Sequence, residues 1–378
     1  MTRLLTRVLP ALAALLCATA ALAQADHPKL PDGADPNDWN AYFDRGMQLM
    51  NRDGVGAADE LFAWASRLDP SRAEPLYARW AAFHMRDLRR FMDYLDDNER
   101  VLRDPRVRAA DSLAMTAFIR NPFVHRGVAA LVYQQLPGDW RTDSFTRAYL
   151  EYARGHIDAA AQGLQARLRA MPGDVAARQA LALTLVNLRR YDEARVELDS
   201  VLAAARRRDE RRVTRVYESK AMLLYSIGLL ALAQNRPADA REVFAQAVLE
   251  DASQWYVHRG LAMALMAEGR AAEGLAEYRT ALELAPADPV LLNEYGRALF
   301  AAGQFPAAVE QLAKAVQLAP DWANGWLDLG NARMRAGDTA GAIQAFDGYL
   351  ARAPRSDAAT ADRIRAQVER MRAGGPGD

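Results

Sequence analysis

The chain has 378 residues, 51% of them hydrophobic, which is too apolar for wholesale disorder and long enough for two domains or one extended array. Lys plus Arg and Asp plus Glu both number 48, so the net charge is zero and no overall field draws the chain to nucleic acid or an anionic membrane.

Residues 1–23 read as a signal peptide. Arg3 and Arg7 precede an apolar run from Val8 to Ala20, and Ala21-Leu22-Ala23 before Gln24 is a small-x-small cleavage site. The run is shorter than the roughly 20 residues that cross a bilayer. No later stretch is long and apolar enough, so the mature chain is expected to be exported, periplasmic or secreted, without a stable membrane span. The single cysteine, Cys17, follows bulky Leu16, which argues against lipid attachment. Cleavage near Ala23 removes it, and with it any disulfide or cysteine-ligated metal. Residues 24–38, rich in Asp, Pro and Gly, read as an extended leader.

From Trp39 the chain falls into cells of 34 residues. The cell 39–72 carries Tyr42, Gly46, Ala58, Phe62, Ala65 and Pro70. The segment 73–140 keeps the length of two cells but places Trp80, Met92 and Arg126 where small residues belong, and reads as degenerate helical hairpins. Two cells fill 141–208, the first with Ala148, Gly155, Ala160 and Pro172, the second with Ala182, Ala194 and Leu198. Residues 209–220 fit no cell, lie within the charged run from Arg206 to Arg215, and read as a charged helical insertion. Four cells span 221–356. There Gly269, Gly303 and Gly337 stand 34 residues apart, as do Pro286, Pro320 and Pro354. The eighth place holds Gly228, Ala262, Gly296 and Gly330; the twentieth holds Ala240, Gly274, Ala308 and Ala342; the twenty-fourth holds Phe244, Tyr278, Leu312 and Phe346. Residues 357–378 read as a polar capping helix, Asp357 to Arg372, and a disordered Gly-Pro tail.

Each cell reads as two amphipathic helices with apolar residues at i, i+3, i+4 and i+7. A glycine ends the first, and a proline closes the second. The small residues let the two backbones approach, and the bulky residue fills the space beside them. A lone hairpin of this size cannot bury its apolar face, so the hairpins are expected to stack.

With Leu292, Tyr295-Gly296, Leu299, Ala308, Leu312, Ala315 and Pro320, the cell from Pro289 resembles the tetratricopeptide repeat. The cell from Ala323 begins the same way, with Trp326 and Leu329-Gly330, and departs at Tyr349. The resemblance implies an all-α fold: an α-solenoid, wound as a right-handed superhelix, of stacked antiparallel helical hairpins with a C-terminal capping helix. It also implies that the first helix of each hairpin lines a concave groove through its second, fifth, ninth and twelfth places. Those places hold Tyr149, Tyr152, Tyr225, Tyr256, Arg259, Asn293, Arg297, Phe300, Asn324 and Asn331. Aromatic rings with Arg and Asn suit an extended peptide or a helix. Relatives that grip acidic chaperone tails use Lys and Asn on three successive hairpins. Only Arg259 matches here, while Met263, Gly260 and Leu327 break the set.

No nucleophile elbow, zinc helix or phosphate loop occurs, and His27, His84, His125, His156 and His258 lack ligand spacing, so neither catalysis, a metal nor a cofactor is expected. The acids Asp93, Asp96, Asp97 and Glu99 read as a solvated helix face. The expected function is an exported scaffold that binds a protein or peptide partner or assembles an envelope complex, with no nucleic acid. Two alternatives are an enzyme accessory with its site in 73–140, and a module for carbohydrate or envelope polymer using Trp39, Trp64, Trp80 and Trp140 as stacking platforms.

Overall fold

The computed structural model describes residues 27–50, 54–95, 98–123, 144–208 and 219–374, and among them every regular element is a helix. The expected signal peptide, Arg126, Trp140, most of the charged insertion and the end of the tail lie outside the described residues. In chain order the helices are α1 (Trp39–Gln48), α2 (Val55–Leu68), α3 (Glu74–Met85), α4 (Leu88–Leu95), α5 (Glu99–Leu102), α6 (Pro105–Arg120), α7 (Ser144–Ala153), α8 (Ile157–Ala170), α9 (Val175–Asn187) and α10 (Tyr191–Arg208). They continue as α11 (Lys220–Ala233), α12 (Pro237–Glu250), α13 (Trp255–Ala267), α14 (Ala271–Leu284), α15 (Pro289–Ala301), α16 (Phe305–Leu318), α17 (Ala323–Arg335), α18 (Thr339–Leu350) and α19 (Ala358–Arg372). None is long and apolar enough to cross a membrane.

The stack follows the chain. Within each repeat the two helices pack on each other, the second packs on the first of the next repeat, and α7 meets α9, α11 meets α13 and α15 meets α17. The small and bulky places of the cell explain the close approach. Phe244 is fully buried between Gly228 and Gly260. A Cβ on either glycine would stand 2.5 or 2.4 Å from its Cε1, so no other residue fits without displacing the ring. Gly330 on Phe346, Gly46 on Phe62 and Gly296 on Leu312 repeat the arrangement. Burying such a ring contributes roughly 1.5–3 kcal/mol.

Between the two helices of a repeat the backbone must turn through the left-handed region. Gly269, Gly303 and Gly337 do so at φ +79°, +75° and +81°. The same place holds Asn235 at φ +57° and Arg189 at φ +58° in earlier repeats. The helices begin on side-chain caps: Asp38, Asp174, Ser219, Asp288 and Asp338 each accept a backbone N–H of the first turn.

The chain departs from the hairpin plan at 73–123. The second half of the cell 73–106 breaks into short α4 and α5, and α3 packs on α6. Trp80, in the place of a small residue, reaches α6 and donates its indole N–H to Asp111 at 3.3 Å. At the other end Tyr349 is fully buried and donates its hydroxyl to Asp357 at 2.5 Å. A large residue fits there because the next element is the single capping helix α19, whose Ile364, Val368 and Met371 join Phe346 and Tyr349 in one cluster.

The N-terminal helices are tied to the C-terminal repeats at three successive inter-repeat turns. At the turn before α15, Arg120 at the end of α6 donates to Asp288. At the turn before α17, Arg67 at the end of α2 donates two bonds to Asp321, at 2.7 and 3.1 Å. After α18, Asp35 accepts from the Arg355 amide at 2.5 Å, Arg355 donates to the Gly33 carbonyl, and Asn37 donates to the Ala353 carbonyl. These turns recur with the repeat, so the docking points inherit its spacing.

Candidate functional site

In a stack of hairpins the first helices of successive repeats lie side by side on one surface, here α7, α9, α11, α13, α15 and α17. Side chains at the fifth and sixth places of neighbouring first helices meet across it. Arg259 donates Nε and Nη2 to the two oxygens of Glu294, both at 2.6 Å, a planar two-bond grip. One repeat on, Asn293 Nδ2 donates to Asp328 at 3.0 Å. One repeat back, Arg259 Nη1 donates to the Tyr225 hydroxyl. The repeat period thus lays a polar ladder across four helices.

The ladder is buried, with Tyr225 at 0%, Arg259 at 6% and Asn293 at 3% exposure. Burial pushes the Tyr225 phenol up, against the opposing pull of Arg259. It also works against the charge on Arg259, but Glu294 and Tyr225 outweigh it and hold the guanidinium well above its ordinary pKa. The Asp328 carboxyl is raised by burial against the pull of Asn293 and Arg297.

The end of α6 lies on the Tyr225–Arg259 part of the ladder. The last carbonyls of a helix lack intrahelical partners. The Ile119 carbonyl accepts from the Tyr225 hydroxyl at 3.1 Å and from Arg259 Nη1 at 3.3 Å. The next side chain, Arg120, is 4% exposed and points Nη2 at both oxygens of Asp288, each at 2.7 Å. Asp288 also caps α15, accepting the Val290 and Leu291 amides at 2.9 Å. Burial opposes the Asp288 carboxylate, but Arg120 and these amides prevail and hold its pKa below the usual value. Arg120 Nε and Nη1 are buried and find no acceptor among the described residues. Beyond α6 the Phe123 carbonyl accepts from Asn187 Nδ2 at 3.2 Å, and that amide also reaches the Tyr152 hydroxyl at 2.9 Å. Met115, Phe118 and Phe123 pack on the apolar core of α7 to α13.

A tetratricopeptide-repeat family model matches residues 225–289, and a second matches residues 265–329. Residues 225–329 are tetratricopeptide repeats. Among curated proteins, the Hsp70-Hsp90 organizing protein of Triticum aestivum is 35% identical over 94 residues, which is 25% of this chain. The match spans only 16% of that relative's length. Among solved structures, PilW, described as a widely conserved type IV pilus biogenesis factor, is 19% identical with a TM-score of 0.45; 55% of this chain and 91% of PilW are covered. YrrB, described as a TPR protein with an unusual peptide-binding site, is 17% identical with a TM-score of 0.40, covering 55% of this chain and 99% of YrrB. MamA is 17% identical with a TM-score of 0.39, covering 46% of this chain and 94% of MamA.

The groove candidates fall into two sets. Tyr225, Tyr256, Arg259 and Asn293 are buried in or beside the ladder. The Tyr256 ring lies 5.2 Å from that of Tyr225, and burial pushes its phenol up to about 12. Arg297 and Asn324 are exposed; Tyr152, Phe300 and Asn331 are half-buried; the side chain of Tyr149 lies outside the described residues. Arg259, the one match to the acidic-tail clamp, is committed to Glu294. Glu294, Asp328, Asp288 and Arg120 were not among the sequence candidates. The acids at the sixth place, one residue after the fifth-place Asn293 and 35 residues after Arg259, were the signal available.

Four other sequence candidates find local uses. His84 is fully buried among the rings of Trp80, Phe83, Phe91 and Tyr94, at centroid distances of 4.6 to 5.2 Å. Trp39, Trp64 and Trp80 are half-buried in ring contacts: Trp39 on Phe43, Trp64 on Tyr42 and Trp80 on Phe91. Among the described residues no three His, Cys, Asp or Glu side chains gather as metal ligands would.

Proposed function

We propose that this chain is an exported, non-catalytic scaffold that receives a segment of a protein partner on the surface formed by its first helices, in the service of an envelope complex. The observation that carries the binding reading is the grip on Ile119. Side chains from two separate repeats, Tyr225 and Arg259, converge on one backbone carbonyl of a segment more than 100 residues away in the chain. Such a surface is equipped to hold a polypeptide. Export is supported by the basic start, apolar run and small-x-small site of residues 1–23.

The test is a photo-crosslinking amino acid placed in turn at Arg297 and Asn324, exposed on the groove side, and at Leu249, exposed elsewhere at 87%. Discrete protein adducts from Arg297 and Asn324, and none from Leu249, are expected in the native cell. Adducts from Leu249 alone overturn the groove reading. Residues 1–30 fused to a phosphatase that is active only outside the cytoplasm should give activity; an inactive fusion removes export.

A further inference from the structure

We infer that the end of α6 is an internal ligand that a partner displaces, and that the partner presents the same chemistry: the C-terminal end of a helix whose last residue is arginine. This rests on the scaffold reading and names the occupant of its groove.

The receptor half is assembled without α6. Arg259 is fixed by Glu294 and Tyr225, all within the repeats, and Asp288 is fixed as the cap of α15. When α6 leaves, these groups stay in place. Two charges then select what enters. Arg259 faces a helix C-terminus, the end with negative partial charge and unmatched carbonyls. Asp288 faces a cation one residue further along. An acidic tail would meet Asp288 and Glu294 and be repelled; a helix ending in arginine meets both requirements.

The ligand half is held imperfectly. Asp288 engages only one nitrogen of Arg120, and Nε and Nη1 are shut away from water with no acceptor among the described residues. A guanidinium carries five N–H donors, and leaving buried ones unmatched weakens the hold. A partner arginine that satisfies all of them has the advantage over the resident one. The fastening is also local. Among the described residues α6 and the turn after it meet the repeats through Ile119, Arg120, the Phe123 carbonyl on Asn187 and the apolar side chains Met115, Phe118 and Phe123. The packing within the hairpins α7–α8, α9–α10, α11–α12, α13–α14, α15–α16 and α17–α18 does not involve α6.

The experiment uses the chain and its Arg120→Ala variant, with a fluorescent synthetic peptide of residues 105–122 as the probe. Hydrogen exchange of α11 and α13 should rise at least tenfold in the variant. The variant should bind the peptide at least tenfold more tightly than the unaltered chain does, and a peptide carrying Arg120→Ala should not bind. If Arg120→Ala loses its helical circular dichroism, Arg120→Lys serves in its place: it keeps a charge for Asp288 but no fork, and should give intermediate exchange and intermediate binding. Exchange unchanged in the folded variant, or a variant that opens but ignores the peptide, overturns the inference. Crosslinks from Arg297 that persist alongside such a result leave the scaffold reading standing. Their loss as well removes both.

Discussion

Acid should loosen the N-terminal helices through His84, and a His84→Leu variant should be spared. The imidazole is fully buried in a cage of four rings, and neither nitrogen finds a hydrogen-bond partner among the described residues. Burial, aided by the nearby charge of Arg90, lowers its pKa from 6.5 to about 3. Above pH 6.5 the folded and unfolded chains both hold a neutral ring, and the full stability is present. Below it the unfolded chain takes up a proton that the folded chain refuses. Stability is then lost at about 1.4 kcal/mol per pH unit until the pH reaches the folded pKa. By pH 5 the loss is about 2 kcal/mol, and over the whole window about 5 kcal/mol. Leucine removes the titrating group and the two unmatched nitrogens together, a change that is near neutral or favourable at pH 8. Urea unfolding of both proteins from pH 8 to pH 5 isolates the effect, because the other titrating groups cancel in the difference. The variant should gain about 2 kcal/mol on the unaltered chain across that range. A difference that stays flat would show that the ring is not held neutral in a dry cage.

Gly228→Ala should cost about 1–3 kcal/mol, because Gly260 blocks the retreat of Phe244 from the other side; thermal melting reads it, and a wild-type melting temperature would refute the sandwich. Arg189→Gly should stabilise by about 1 kcal/mol, since the exposed arginine occupies a left-handed position that glycine takes without strain; a lower melting temperature would refute this. Deleting residues 27–37 removes the bonds to Ala353 and Arg355, and hydrogen exchange in α18 and α19 should speed up; unchanged protection would mean that the leader does not brace the C-terminal end.

The hairpins were readable because their packing is local. Each eighth-place glycine meets a bulky residue 16 places later in the same cell, and a fixed spacing in the chain becomes a fixed contact in space. The left-handed turns were readable where glycine marks them and hidden where Asn235 and Arg189 adopt the same φ, since the stack imposes the turn on whatever residue stands there. The burial of the first-helix candidates Tyr225, Tyr256, Arg259 and Asn293 was not legible. Tyr225 and Arg259 meet α6, which lies in a cell that keeps the length but loses the pattern. Nothing near Ile119 and Arg120 in sequence announces Tyr225, Arg259 or Asp288 as partners. The Arg259–Glu294 and Asn293–Asp328 pairs sit between these cases, since their spacing is one residue more than the repeat and visible once neighbouring cells are laid side by side.

The three anchoring turns carry a demand that an open row of hairpins escapes. A free-ended stack tolerates the gain or loss of a unit, since each unit knows only its neighbours. Here Asp288, Asp321 and Arg355 must be met in order by Arg120, Arg67 and Asp35. Adding or removing one hairpin between α15 and α18 would slide every later anchor a full step past its mate. In this chain the tally of units is therefore set by geometry, and duplication, the ordinary route by which such proteins change size, is closed off within that span.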